Sequence, residues 1–160
     1  MADNVKYSFS GHESFYCKSL WLKKGYDFVS ANKNFNSEDA VVDLGVGKNM
    51  VASIRYWLRA FDLLDKKGNT TEIADYLFNN EDGRDPYIED LGTLWLLHYL
   101  LVKTELASIY KLFFIGFQRE KNNEFDDKIA DKEIQNLIAY EKDILNKEIN
   151  QSFESYEFTA

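Results

Sequence analysis

The chain has 160 residues, a net charge of −8, and large shares of hydrophobic (45%) and aromatic (16%) residues. This supply of apolar side chains excludes a chain that is disordered over most of its length and predicts one main core. One proline and eight glycines provide too few turns for an all-β sandwich, so we expect a mainly α-helical fold.

The first half of the sequence predicts three helices. Aromatic residues and lysines at helical spacing indicate a first helix at residues 15–24, which Gly25 is expected to end. Residues 37–44 are predicted to form the second helix, because the acidic pair after Ser37 suits the positive end of a helix. Residues 48–61 contain no glycine or proline and are predicted to form the third.

The second half begins with a predicted wing. Residues 63–72 have the pattern of a short strand, a tight polar loop and a helix cap. A fourth helix is predicted at residues 71–78, and two strongly apolar helices at residues 87–102 and 106–117 are expected at the centre of the core. Residues 118–160 are predicted to form an acidic helical tail.

Residues 37–61 have the features of a helix-turn-helix. Such a unit needs a small residue at its tight turn and buried branched residues on its second helix. Gly45 can take the positive φ of the turn, Val46 can fill the corner, and Val51 with Ile54 can anchor the second helix. We therefore predict a winged helix-turn-helix domain over residues 1–117, with additional helices toward its C-terminal end.

The second helix of this motif also predicts a DNA-binding face. Its core-facing arc consists of residues spaced at i, i+3, i+7 and i+10: Val51, Ile54, Leu58 and Phe61. The predicted DNA contacts fall away from that arc: Lys48, Asn49, Ser53, Tyr56 and Arg59. Amide and hydroxyl side chains suit base edges, the cations suit phosphates, and Arg55 lies at the border of the arc. The alternative is a structural hairpin whose polar face is only solvated.

The overall acidity argues against DNA, because affinity for DNA comes largely from neutralised phosphates. Residues 1–60, however, hold eight basic and six acidic residues, a net charge of +2, whereas residues 61–120 and 121–160 each carry −5. The basic groups accompany the motif, so double-stranded DNA is the expected partner. The acidic remainder equally fits a protein adaptor or a DNA mimic that makes no direct DNA contact, and this stays the competing hypothesis.

No motif predicts catalysis or a cofactor. His12, Glu13 and Cys17 are close in sequence, but such a cysteine is usually a small buried hydrophobe and such a His–Glu pair a capping arrangement. His98 is expected to be a hydrogen-bonded core histidine. The Gly-Val-Gly-Lys run at residues 45–48 lacks the upstream glycine and the following serine or threonine of a phosphate-binding loop.

Metal and membrane sites are not expected either. One cysteine and two histidines form neither a disulfide nor a closed zinc site, and the acidic run at residues 85–90 suits helix capping better than metal binding. The first residues lack the features of a signal peptide, and the apolar stretch around residues 94–102 is too short to span a bilayer. We expect a cytoplasmic protein with no membrane partner.

Several runs of residues resemble one prokaryotic family. They are Ser-Gly-His-Glu-Ser-Phe at 10–15, Trp-Leu-Lys-Lys-Gly-Tyr at 21–26, Leu-Gly-Val-Gly-Lys-Asn-Met-Val at 44–51 and Gly-Thr-Leu-Trp-Leu-Leu-His-Tyr at 92–99. Over about residues 9–117 the sequence resembles domain-of-unknown-function family 4007. Members of that family look like winged-helix proteins encoded near DNA-modification and phage-defence genes. The resemblance therefore implies a regulatory or recognition subunit of such a system, with a protein partner from the same system, and it assigns no catalytic residues. It also implies that the acidic tail is part of a truncated second region.

Overall fold

The structure, a computed structural model, describes Ser8 and residues 11–117. The chain divides into two compact units, Met1–Lys111 and Leu112–Ala160. The described part of the first unit contains six α-helices: α1 (Ser19–Ser30), α2 (Ala40–Leu44), α3 (Lys48–Ala60), α4 (Glu72–Phe78), α5 (Leu91–Thr104) and α6 (Ser108–Lys111). In the second unit the described residues form a π-helical segment, Leu112–Phe117. The predicted acidic tail at residues 118–160 lies outside the described residues.

The prediction of a mainly α-helical fold is confirmed. Within the described residues, the β-structure consists of one isolated antiparallel bridge between Leu64 and Thr70, at the place of the predicted wing. The Asp65 carboxylate organises the intervening loop by accepting the backbone N–H groups of Lys67 at 2.8 Å and Asn69 at 2.9 Å. These hydrogen bonds, the one from Asn69 above all, lower the pKa of Asp65. No described helix is long and apolar enough to span a membrane.

Gly25 does not end the first helix, and that prediction is wrong. The helix runs from Ser19 to Ser30, and Gly25 lies in its buried middle. A Cβ atom at Gly25 would lie 2.4 Å from Leu58 Cδ1 and 2.8 Å from Ile54 Cγ2, both on α3. The glycine is therefore needed for the close approach of α1 and α3, and a helix of this length tolerates it because packing outweighs propensity.

The turn between α2 and α3 agrees with its prediction. Gly45 has a φ of 58° in the left-handed region, which a residue without Cβ adopts without strain. The N–H groups of Gly45 and Val46 donate to the carbonyls of Val42 and Val41 at 3.1 and 3.2 Å, so the last carbonyls of α2 are satisfied. Two consecutive helices are thus joined by a turn of three residues, Gly45 to Gly47.

A small apolar cluster fixes α2 against its neighbours. It consists of one residue from α1, two from α2 and one from α3, with three partly buried side chains around them: Phe28, Ala40, Leu44 and Val51, then Val29, Phe35 and Val46. The predicted corner role of Val46 and the anchoring role of Val51 are confirmed. Val41, also on α2, does not belong to this cluster and is 37% exposed.

Several helices begin later than predicted, because capping loops occupy their expected first turns. The helix expected at residue 87 begins at Leu91, since the Asp85 carboxylate accepts the N–H groups of Glu89 at 2.9 Å and Asp90 at 3.0 Å. Asp90 is then the N-cap and accepts the N–H of Gly92. The predicted capping role of this acidic run is confirmed. Similarly, α2 begins at Ala40 and not at Ser37, and the helix expected at residues 106–117 is interrupted after α6.

The main core joins α1, α3, α4 and one side of α5. Its fully buried members include Ile54, Trp57, Leu58 and Phe78, which lie within a larger cluster. The expectation that α5 is a central core helix is only half right. Its buried side holds Thr93, Leu97, Leu100 and Leu101, whereas the opposite side exposes apolar residues to solvent.

Candidate nucleic-acid interface

A groove of about 940 Å³ lies along the outer side of α3, between that helix and the segment that leads into α2. Three cations of α3 line it: Lys48, Arg55 and Arg59. Their spacing of i, i+7 and i+11 places them on one helical face, with the small exposed residue Ala52 between the first two. The face is therefore basic and open at its centre.

Among the described residues, no carboxylate forms an ion pair with the cations of this groove. The three ion pairs in the described part of the chain join other residues: Lys23 with Asp27, Lys33 with Asp43, and Lys111 with Glu105. Arg55 instead donates a hydrogen bond from Nη1 to Asn36 Oδ1 at 2.8 Å. Because Asn36 is neutral, this contact orients the guanidinium without neutralising its positive charge. One acidic residue, Glu38, also lines the groove.

The dimensions of the face suit a duplex. At about 1.5 Å per residue, Lys48 and Arg59 are separated by roughly 16 Å along α3, or about five base-pair steps of 3.4 Å. The major groove of B-DNA is about 12 Å wide and admits one α-helix. The distance between the basic side chains at the two ends of α3 is therefore comparable to the width of the major groove.

The five predicted contact residues do not form one surface. Lys48 and Arg59 are exposed and line the groove, and Asn49 is exposed at the start of α3 but does not line it. Tyr56 is half-buried. The prediction is wrong for Ser53, which is fully buried although the helical projection placed it outside the apolar arc.

Ser53 is buried because the core surrounds more of α3 than its apolar residues indicate. Val51, Ile54, Trp57, Leu58 and Ala60 are buried on the same helix, so the covered arc is wider than the predicted stripe. The Ser53 hydroxyl has no hydrogen-bond partner among the described residues. The sequence placed Arg55 only at the border of the apolar arc, but Arg55 lines the groove and Ser53 does not.

Tyr56 contacts the N-terminal segment and the residues that follow α5, and it also lines the groove. Its hydroxyl donates to the carbonyl of Leu106 at 3.3 Å, and burial raises its pKa. A Cβ atom at Gly11 would lie only 2.3 Å from the Tyr56 ring, so a glycine is required where the N-terminal segment crosses α3. Tyr56 therefore forms part of the floor of the groove and is less available than the cations.

The His12 region has a structural role in the first unit. The His12 ring stacks on Trp57 with centroids 5.6 Å apart and planes 2° from parallel. Trp57 Nε1 donates to the carbonyl of Phe15 at 2.9 Å, and Glu13 adopts a left-handed φ of 51° in the intervening turn. His12 and Glu13 thus belong to a turn packed on α3, and not to the helix cap that the sequence predicted.

Cys17 and His98 line a separate apolar cavity of about 310 Å³ between the start of α1 and α5. Burial raises the pKa of the Cys17 thiol to about 12, so it stays protonated and unreactive at neutral pH. Cys17 packs against the main core but is only partly buried, so the prediction of a small buried hydrophobe is met in part. His98 is half-buried at the edge of the cavity, with the Trp95 ring edge-on at 6.1 Å. Across the described residues, no group of three or more metal-ligating side chains is gathered.

The described residues define a small helical protein with a cation-lined groove along the second of two helices joined by a tight turn. The chain belongs to DUF4007, a family described as proteins of unknown function, whose model matches residues 9–156. This membership confirms the resemblance seen in the sequence. The match extends past residue 117 to residue 156, so the family region includes most of the acidic tail.

Two solved structures of SspB are similar to the chain. One of them is magnesium-bound and shares 45% identity with a TM-score of 0.53, and the other shares 46% identity with the same TM-score. In both cases the match covers 59% of this chain and 31% of the SspB chain, so this chain corresponds to less than a third of SspB. The comparison with curated proteins gave no match.

Proposed function

We propose that the chain is a DNA-binding protein of the winged helix-turn-helix type that holds duplex DNA along α3. The observation that carries this proposal is that Lys48, Arg55 and Arg59 lie in a row on one face of α3. None of these cations takes part in the three ion pairs of the described residues. Cations left without acidic partners beside a groove are suited to bind a polyanion. The local excess of basic residues in the first 60 positions supports the same surface.

The residues of this face divide by chemistry. Lys48 and Arg59 contact phosphates at the two ends of α3, where a flexible cation needs no base-specific geometry. Asn49 is exposed near the start of α3, the part of a recognition helix that reaches base edges, and its amide can pair with adenine. Arg55, oriented by Asn36, takes the place that the sequence had assigned to Ser53.

In this proposal, the loop between Leu64 and Thr70 is the wing. It is closed by one antiparallel bridge and by the Asp65 carboxylate, and Lys66 and Lys67 are exposed at its tip. In winged proteins such a loop contacts the backbone next to the recognition helix. Lys66→Ala with Lys67→Ala would then weaken binding less than the loss of two α3 cations.

The biological setting proposed for this activity is a DNA-modification or phage-defence system, in which the chain is a regulatory or recognition subunit. This part rests on the family resemblance, and the family model matches residues 9–156. A subunit that recognises DNA for another protein needs no catalytic residues of its own. Its protein partner would come from the same system, and the chain would work in the cytoplasm.

The test is a titration of a fluorescent duplex at two salt concentrations, with plain and modified DNA. For the double variant Lys48→Ala with Arg59→Ala, we expect a loss of affinity of at least tenfold and a slope of log affinity against log salt that is smaller by about 2. The matched control is Lys24→Ala with Arg84→Ala, which removes one exposed lysine and one exposed arginine away from the groove. The control should keep nearly the wild-type affinity and slope.

Three outcomes separate the possibilities. If the two double variants lose affinity equally while remaining folded, DNA does not bind at α3. If Asn49→Ala changes the salt slope and not the sequence preference, its assignment to a base edge is wrong. If the wild type binds no duplex at low salt, the DNA proposal fails and the competing function stands.

That competing function is a protein adaptor. It is favoured by the exposed apolar side of α5, which a protein that acts only on DNA does not require. In that case the acidic residues outside the groove would dock a basic partner or imitate the charge of DNA, and the chain would be indifferent to duplexes while forming a stable protein complex.

A further inference from the structure

The exposed side of α5 is a contiguous apolar surface. The α5 face consists of Leu91, Leu94, Trp95 and Tyr99, which are 68%, 49%, 66% and 59% exposed, and Tyr87 just before the helix is 65% exposed. Single exposed hydrophobic residues are common on protein surfaces, but neighbours at i, i+3, i+4 and i+8 on one helix form a patch. Such a patch indicates an interaction surface.

We propose that a second copy of this chain covers the α5 face, with the two α5 helices packed antiparallel about a two-fold axis. The axis passes through the middle of the helix, between Trp95 and Tyr99, so that the aromatic residues of one copy meet those of the other. An interface of this kind is self-complementary, because the same patch serves both subunits. The proposal is independent of DNA binding.

The charges at the two ends of the face match this arrangement. Glu89 and Asp90 are exposed at the N-terminal end of α5, and Lys103 is exposed at its C-terminal end, with its ammonium 5.9 Å from the centre of the Tyr99 ring. Glu105, which follows α5, is paired with Lys111 at 2.7 Å, so among the described residues Lys103 is the unpaired charge of that end. Two antiparallel copies place the acidic end of each helix beside the basic end of the other. A parallel arrangement would bring like charges together at both ends.

The exposed area is sufficient for a dimer of ordinary size. Burying an aromatic side chain removes roughly 150–250 Å² from water, so the three aromatic residues, each about two-thirds exposed, supply roughly 400 Å². The two leucines add about 100 Å² each. Roughly 600 Å² per copy, or about 1,200 Å² for two copies, reaches the lower end of the range for specific interfaces.

The experiment is sedimentation velocity of the full chain from about 1 µM to about 200 µM, because by mass action the dimeric fraction rises with total concentration. Tyr99→Glu is the test variant and Tyr76→Glu is its matched control. Both tyrosines lie on helices and are almost equally exposed, 59% and 58%, but Tyr76 belongs to α4. We expect Tyr99→Glu to raise the dimer dissociation constant at least tenfold and Tyr76→Glu to leave it within twofold.

A charge swap tests the antiparallel orientation. Lys103→Glu should weaken the dimer, and the addition of Glu89→Lys should restore it, since each end again meets its opposite. Trp95 provides a second readout, because Trp21 and Trp57 are already buried and only Trp95 would move from water into an interface. Its emission should shift to shorter wavelength as concentration rises.

Three results would overturn the proposal. If the wild-type chain is monomeric over the whole concentration range, a second copy does not cover the α5 face. This conclusion is the same whether another protein or another part of the chain covers it. Equal effects of the two tyrosine variants would place the interface elsewhere. Failure of the charge swap to restore a dimer that Lys103→Glu had weakened would exclude the antiparallel orientation.

Discussion

The close contact of Gly25 with α3 gives the sharpest prediction at the scale of one residue. Gly25→Ala adds a Cβ atom 2.4 Å from Leu58 Cδ1, and Leu58 is fully buried and cannot move freely. We expect a loss of about 1–3 kcal/mol in the free energy of unfolding, despite the better helix propensity of alanine. Gly47→Ala is the control, because nothing lies within 4 Å of its added Cβ. Equal stability of the two variants in urea unfolding would show that α1 and α3 do not approach so closely.

The buried hydroxyl of Ser53 leads to a prediction of the opposite sign. Because this hydroxyl has no hydrogen-bond partner among the described residues, its burial costs free energy that alanine does not incur. Ser53→Ala should raise the free energy of unfolding by about 1 kcal/mol and leave duplex affinity unchanged. Thermal melts and the duplex titration measure the two quantities. A loss of affinity in a stable Ser53→Ala variant would return this residue to the DNA surface.

Asp85 predicts how stability depends on pH. Burial alone would raise its pKa, but the hydrogen bonds from the backbone N–H groups of Glu89 and Asp90, together with those from Thr93 and Ile88, outweigh burial and lower it. The folded-state pKa therefore lies below the unfolded value of about 3.9. The carboxylate stabilises the fold above that unfolded value, and the contribution disappears as pH falls through the folded pKa.

Asp85→Asn is expected to remove this contribution. At pH 7 the variant should lose about 1–3 kcal/mol of unfolding free energy, because an amide is a weaker acceptor for the two N–H groups. The difference between wild type and variant should shrink toward zero as the pH is lowered below about 4. Urea unfolding between neutral and acidic pH gives the profile. A difference that is constant over this range would mean that packing of the amide, and not charge, causes the loss.

At the scale of the elements, the turn between α2 and α3 was predictable because it depends on local chemistry. The lack of a side chain at Gly45 permits a left-handed φ, and residues near in sequence provide all the hydrogen bonds of the turn. The capping role of the acidic run at residues 85–90 is local as well and was also predictable, although the exact residue at which α5 begins was not. The position of Gly25 was misread because its contacts lie on another helix.

The same contrast applies to the candidate site. The sequence identified α3 and its two end cations, Lys48 and Arg59, because helical periodicity separates these positions from the apolar stripe. It misplaced Ser53 because periodicity does not indicate how widely neighbouring elements cover a helix. It undervalued Arg55, whose orientation depends on Asn36 in the segment before α2. Contacts between distant parts of the chain account for each difference.

Gly45→Val tests the turn as an element. No atom lies within 4 Å of an added Cβ, so backbone strain at a φ of 58° is the cost, and we expect a loss of about 1–2 kcal/mol in the free energy of unfolding. Asparagine tolerates this conformation, and Gly45→Asn should therefore recover most of the loss. Chemical denaturation measures both variants. If valine and asparagine are equally tolerated, the residue does not occupy the left-handed region.

At the scale of the whole molecule, the decisive property is the separation of charge. The net charge of −8 is unevenly distributed, with +2 over residues 1–60 and −10 over the remainder. Solvent and salt screen charges beyond about 10 Å at 0.1 M salt. Acidic residues far from the basic groove therefore repel an approaching duplex only weakly, whereas an acidic residue beside the groove repels it more strongly. Glu38 is the near acid, since it lines the groove together with the three cations.

Because Glu38 lies beside the groove and other acidic residues do not, removing single acidic charges tests which surface DNA uses. Glu38→Gln should strengthen duplex binding by about two- to fivefold at low salt, whereas Glu81→Gln should change it by less than about 1.5-fold. Both glutamates are exposed, and each substitution removes one negative charge and keeps the shape of the side chain. The two variants therefore share the change in net charge and differ in position. Titration of the same duplex at rising salt should bring the Glu38→Gln affinity back toward that of the wild type. Equal gains in the two variants would mean that only net charge matters, and a larger gain for Glu81→Gln would place the DNA near α4 and not along α3.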